Sequence, residues 1–98
     1  MEIIKKSEGN NLSIEVQGRL DTITAPELEQ ELNASLNGVE KIVFDFGKLE
    51  YISSAGLRVM LSTQKKMMKQ GEMKIVNVND EVKEVFDITG FSSIISIE

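Results

Sequence analysis

The sequence predicts one α/β domain with a mixed, largely parallel sheet, and three observations carry that expectation. First, the polar segment Ser7-Glu8-Gly9-Asn10-Asn11 separates an apolar pair from a stretch of apolar–polar alternation, the pattern of a hairpin. Second, beyond the hairpin, segments with apolar residues at helical spacing alternate three times with apolar runs of strand length. Third, 98 residues of 41% hydrophobic content supply one core and leave no room for another, so residues 1–98 read as a single domain.

Each element has its own signal. Ile3 and Ile4 mark a first strand that ends before Ser7. Leu12, Ile14 and Val16 alternate with Ser13, Glu15 and Gln17, a half-buried second strand that Gly18 is expected to close. Thr24-Ala25-Pro26-Glu27 reads as a helix start, with Thr24 as cap, Glu27 completing a capping box and Pro26 tolerated in the first turn. Leu28, Leu32 and Leu36 form that helix's apolar face, and Asn37-Gly38 ends it. Ile42 to Phe46 is apolar on both faces apart from Asp45, as a central strand should be. Leu57, Met60, Leu61 and Met67 or Met68 then recur at helical spacing from about Ser54 to Gln70, where Gly71 stops the helix. Met73, Ile75, Val76 and Val78 make a further strand. Asn79 or Asp80 caps a short helix carrying Val82, Val85 and Phe86 and ending at Gly90. Ile94, Ile95 and Ile97 form a last strand or extended tail. The expected order is β-β-α-β-α-β-α-β.

Composition excludes several functions. Sixteen acidic against 11 basic residues leave a net charge of −5, which argues against nucleic-acid binding. The densest basic cluster, Lys65, Lys66 and Lys69, reads as a solvated last helical turn. The chain has no cysteine and no histidine, so thiol chemistry, zinc-thiolate sites and the commonest general base are all excluded. No run approaches the roughly 18 apolar residues that a membrane span needs, and Met-Glu-Ile-Ile-Lys-Lys lacks a signal-peptide core. The expectation is a soluble cytoplasmic protein without membrane insertion.

Function concentrates in Tyr51-Ile52-Ser53-Ser54-Ala55-Gly56-Leu57, which sets two hydroxyls at the positive end of a helix. A serine there can be a cap, a nucleophile or a phosphorylation site. The nucleophile reading lacks both the Gly-x-Ser-x-Gly pattern and a histidine to activate it. Asp21, Asp45 and Glu50 supply carboxylates, but spacing alone does not converge them on a metal. Gly18, Gly47 and Gly56 stand alone, without a phosphate-binding loop. No catalytic, metal or cofactor site is expected. Capping and phosphorylation stay open on the residues alone.

With Gly18-Arg19-Leu20-Asp21, Thr24-Ala25-Pro26-Glu27-Leu28, the Tyr51–Leu57 segment and Phe86-Asp87-Ile88-Thr89-Gly90-Phe91 in this order, the chain resembles the STAS-domain anti-sigma factor antagonists. The resemblance runs from about Ile3 to Ile97. It implies a STAS-like fold, an N-terminal hairpin followed by alternating helices and strands, with helices packed on the sheet. In that family the turn reads Asp-Ser-Ser-Gly or Asp-Ser-Ala-Gly, and the serine after the Asp is phosphorylated. Aligning on Ala55-Gly56-Leu57 puts that serine at Ser54. Ser53 takes the usual Asp position, a departure that removes a charge and makes Ser53 a substitute acceptor.

The resemblance implies a cycle rather than an enzyme. The unmodified protein binds an anti-sigma factor that is also a serine kinase, and so frees a sigma factor. Phosphorylation of Ser54 ends the complex, and a metal-dependent protein phosphatase resets it. Asp21 is expected to accept a hydrogen bond from the Ser54 turn and to repel a phosphate there. Thr22, Ile23, Thr24, Ser53, Ala55, Gly56 and Arg58 complete the expected partner surface, on a chain monomeric when free. The alternative is a constitutive STAS adaptor of a transporter or sensory complex, without phosphorylation.

Overall fold

The longest strand, β2 (Asn11–Leu20), is the hub of the computed structural model, which describes all 98 residues. It pairs antiparallel with β1 (Glu2–Glu8), forming the expected hairpin around Gly9 and Asn10. It also pairs parallel with β3 (Lys41–Asp45) and, further along, with β4 (Leu49–Ile52). The sheet continues through β5 (Glu72–Val76) to the short β6 (Ser96–Ile97), both parallel to their neighbours. Its order is β1-β2-β3-β5-β6, with β4 paired to β2 off that path. Three helices connect the parallel strands: α1 (Ala25–Ser35), α2 (Ser54–Met67) and α3 (Asp80–Ile88).

One face of the sheet makes the core. Leu12, Ile14 and Val16 of β2, Ile42 and Phe44 of β3, and Met73 and Ile75 of β5 join Leu28, Leu32, Met60, Val82 and Phe86 of the helices in one cluster of 23 buried residues. Phe44, Phe46 and Phe86 are fully buried, and each contributes about 1.5–3 kcal/mol through its removal from water. The alternate residues Ser13, Glu15, Val43 and Asp45 point to the other face, which no helix covers.

The structure corrects several expectations. β4 was not foreseen, because Leu49-Glu50-Tyr51-Ile52 buries its first and last residues and so lacks a two-residue period. β1 runs through Ser7 to Glu8, past the expected end, because the ladder continues to Glu8↔Asn11 and the turn needs only two residues. Gly18 does not close β2. It sits at φ +94°, where the register shifts between Gly18 and Arg19, and the strand bends on to Leu20. A bulge of this kind favours glycine because a Cβ disfavours positive φ. Val78 lies outside β5, which ends at Val76 before Asn77 turns to φ +61°. Ile94 follows a short 3₁₀ turn, Phe91–Ser93, and is half exposed, while Ile95 is buried. The cap of α1 also differs, as described next.

Candidate functional site

The parallel strands end at one edge of the sheet, and two turns meet there. Leu20 and Ile52 are cross-strand partners at the ends of β2 and β4, so the residues that follow them emerge side by side. A hydrogen bond from the Ser53 N–H to the Leu20 carbonyl, 2.9 Å, ties the turns together. β4 therefore positions the site.

The first turn, Asp21 to Thr24, closes on itself. Asp21 Oδ1 accepts from the Ile23 N–H (3.0 Å) and the Thr24 N–H (3.1 Å). Thr24 Oγ1 accepts from the Asp21 N–H (2.9 Å) and donates to the Arg19 carbonyl (2.8 Å). This is the reciprocal bonding of a capping box, one turn earlier than the expected Thr24–Glu27 pair. Thr24 makes no side-chain cap to α1, because its hydroxyl is already engaged. The Asp21 carboxyl is held below its ordinary value of 3.8, first by the Thr24 backbone N–H and further by the Ile23 N–H, the Thr24 hydroxyl and the Arg19 charge. The expected hydrogen bond from the Ser54 turn to Asp21 is absent; the Asp21 oxygens face their own turn and Arg19 Nε, 3.9 Å away.

The second turn opens α2. Ser53 is extended (φ −98°, ψ 176°), and its Oγ accepts from the Gly56 N–H at 3.5 Å, a long cap. Ser54 is the first helical residue, exposed, and its hydroxyl has no hydrogen-bond partner in the protein. The first turn of α2 carries no acidic residue, so the free N–H groups and the positive dipole end are unopposed. Gly56 allows the close approach of helix to sheet. A Cβ there would lie 2.8 Å from Leu20 Cγ and 2.9 Å from Ile52 Cγ1.

The structure thus brings Asp21, Thr22, Ile23 and Thr24 beside Ser53, Ser54, Ala55 and Gly56. Thr22 and Ile23 are exposed, Ile23 by 85%. Ala55 is half-buried. Arg58 is exposed one helical turn beyond Ser54 and makes no ion pair. One contact beside the site is not legible in the motifs that contain its residues: the Arg19 guanidinium lies over the Tyr51 ring, 4.3 Å from its centroid. Their contact follows from the Arg19↔Tyr51 pairing of β2 with β4, so only recognition of β4 could have revealed it. No group of three or more acidic side chains is arranged to hold a metal, and no helix is long and apolar enough to cross a membrane.

Comparison with known proteins gives this geometry a family. The STAS domain model matches residues 2–98. The chain is 43% identical over 84 residues to BtrV of Bordetella bronchiseptica, a protein named for anti-sigma factor antagonism, covering 84% of this chain and 72% of that one. It is 30% identical over 95 residues to the anti-sigma-B factor antagonist of Bacillus subtilis, covering 96% and 86%. The fold matches the anti-sigma factor antagonist SpoIIAA in its unphosphorylated form (TM-score 0.79, 15% identity, 99% of this chain and 87% of that one). It matches the phosphorylated form equally well (TM-score 0.78, 16% identity, 99% and 91%). With a family model spanning nearly every residue and two relatives at 30% identity or more, the chain belongs to the STAS-domain family of anti-sigma factor antagonists.

Proposed function

We propose that this chain is a phosphorylation-controlled anti-sigma factor antagonist acting in the cytoplasm, with Ser54 as its switch. The unmodified protein binds an anti-sigma factor that is also a serine kinase, and the sigma factor is released. The kinase transfers the γ-phosphoryl group of ATP to Ser54 Oγ; ADP leaves and the hydroxyl proton is lost. A phosphatase later hydrolyses the ester. ATP and its magnesium belong to the kinase, and this chain supplies an acceptor and a docking surface rather than catalysis.

The observation that carries the reading is the exposed Ser54 hydroxyl, unbonded at the head of α2, while Ser53 provides the cap. Modifying the Ser54 hydroxyl sacrifices no hydrogen bond within the protein. A phosphate there adds about −1.5 to −2 charge, which the dipole and free N–H groups accept without refolding. A partner packed over the turn meets a different situation. Burying that dianion without a cation costs several kcal/mol, enough to weaken binding roughly a thousandfold. SpoIIAA, of the same fold, exists in both forms, which supports the same chemistry in this chain.

The test is capture from source-cell lysate with ATP or ADP, using wild type, Ser54→Ala and Ser54→Asp, followed by intact-mass measurement of the recovered chain. A serine kinase held by wild type and Ser54→Ala but lost by Ser54→Asp supports the switch. The mass should rise by one phosphoryl group in wild type and in Ser53→Ala, and stay unchanged in Ser54→Ala. Equal capture of non-kinase proteins by all three would assign the chain to constitutive adaptors instead.

A further inference from the structure

The charge on α2 is unlike that of the other helices. From Ser53 to Gly71 there is no acidic residue, and Arg58, Lys65, Lys66 and Lys69 supply four of the 11 cations of a chain whose net charge is −5. The charged residues of α1 are all acidic, Glu27, Glu29 and Glu31; α3 carries Asp80, Glu81, Glu84 and Asp87 against a single Lys83. Of the seven cations elsewhere, Lys5, Arg19, Lys41 and Lys74 lie within 4.0 Å of a carboxylate, whereas Lys6, Lys48 and Lys83, scattered along the chain, do not. Arg58, Lys65 and Lys66 of α2, and Lys69 just past its end, have no carboxylate within that distance. Lys66 donates instead to Asn33 of α1, at 2.7 Å.

These residues form a stripe. Ser54, Arg58, Leu61, Lys65 and Met68 follow one another at intervals of four and three, so they lie along one side of the helix over about 21 Å. Arg58, Leu61, Ser62, Lys65, Met68 and Lys69 line a shallow, open groove there. Met68 is 69% exposed, an apolar side chain among lysines. The helix dipole accounts for Lys65 and Lys66 in the last turn, but not for Arg58 near the opposite end. Nor does it account for an unpaired cationic row whose like charges repel one another within the helix.

We infer that this side of α2 is a docking surface for an acidic segment of the anti-sigma factor, one with an apolar side chain to cover Met68. The inference rests on the proposed function and extends it. The stripe begins at Ser54, so one partner segment spans the switch and the helix behind it. A phosphate on Ser54 then acts twice: it repels the carboxylates at the head of the stripe and draws on the charge of Arg58, one turn away. Cations that steer an acidic partner also make association fast and salt-sensitive.

The experiment measures binding of the purified anti-sigma factor recovered by wild type, at 50 and 200 mM salt. Lys65→Glu/Lys69→Glu is compared with Lys6→Glu/Lys83→Glu, which makes the same change in net charge on exposed positions elsewhere; circular dichroism verifies both folds. The expected result is at least a tenfold loss for the α2 pair, mostly in association rate and with a flatter salt dependence, against less than twofold for the control pair. Equal losses in the two variants, or an unchanged affinity in the α2 pair, would overturn the inference. So would binding of anionic phospholipid vesicles or duplex DNA that depends on Lys65 and Lys69 while the anti-sigma factor does not. Ser54→Asp is measured alongside. If it binds as wild type does, the switch fails independently of what the lysines show.

Discussion

The Asp21–Thr24 turn spends its carboxylate and its threonine hydroxyl on its own backbone, whereas the adjoining Ser53–Gly56 turn leaves the Ser54 hydroxyl unbonded. The two are held by the same device, parallel strands ending together, and they differ in what remains available to another molecule. The first is closed by its own hydrogen bonds and presents an exposed Ile23. The second is tied in backbone by Gly56 and the Leu20 carbonyl, yet unbonded at the one side chain proposed as the phosphate acceptor. The proposed switch would require no change of fold. Its effect would come from adding charge to a surface whose geometry is already set.

The comparison breaks most severely if the close approach of α2 to the sheet is removed. In Gly56→Ala the new Cβ would sit within 3.0 Å of both Leu20 and Ile52, which are buried and cannot swing into solvent. Overpacking of this kind costs about 1–3 kcal/mol. Chemical denaturation should show that loss. Because the helix must shift away from Leu20, binding of the anti-sigma factor should weaken by more than the stability loss alone explains. A variant of unchanged stability would mean that the helix and sheet adjust freely, and that the turn is less fixed than its contacts indicate.

These two turns were also unequally legible in the sequence. Hairpin, helices and most strands follow from periodicity, which also sets Ser53 and Ser54 at the head of a helix; the choice of Ser54 between them follows only from the family resemblance. β4 does not follow from periodicity, since its two buried residues, Leu49 and Ile52, lie three apart, a helical rather than a two-residue spacing. Without β4, nothing places Tyr51 beside Arg19 or Ser53 beside Leu20. Gly18 reads as a strand end in the sequence because a glycine that stops a strand and one that bulges it carry the same signal. The capping error has a similar origin. Asp21-x-x-Thr24 and Thr24-x-x-Glu27 overlap and both satisfy a capping spacing; only the bend after Gly18 decides between them.

The self-contained turn is sharpened by pH. The Asp21 carboxyl titrates below its ordinary 3.8 in the folded protein, so the fold gains stability from its ionised form. That gain is complete above the unfolded value and disappears as pH falls through the lower folded value. Asp21→Asn keeps an N-cap acceptor and removes the charge. Wild type should therefore be the more stable of the two from neutral pH down to about pH 4. The difference should shrink steadily on further acidification. A gap that stays constant through that range would show that the charge adds nothing, and that the turn is held by hydrogen-bond geometry alone.

The smallest effects test the contrast between the two serines directly. Ser53→Ala removes a cap of 3.5 Å, so its cost belongs at the low end of the capping range, about 0.5 kcal/mol. Ser54→Ala removes a hydroxyl that bonds nothing within the protein, and its stability should stay within about 0.5 kcal/mol of wild type in either direction. Stability alone separates the pair narrowly; the decisive contrast is the comparison of stability with phosphorylation. Ser53→Ala should lose a little stability and keep the acceptor, while Ser54→Ala should keep its stability and lose the acceptor. If both properties followed one serine, cap and acceptor would be the same residue. Phosphorylation would then cost the helix its cap, and the switch would work by loosening α2 rather than by charging its surface.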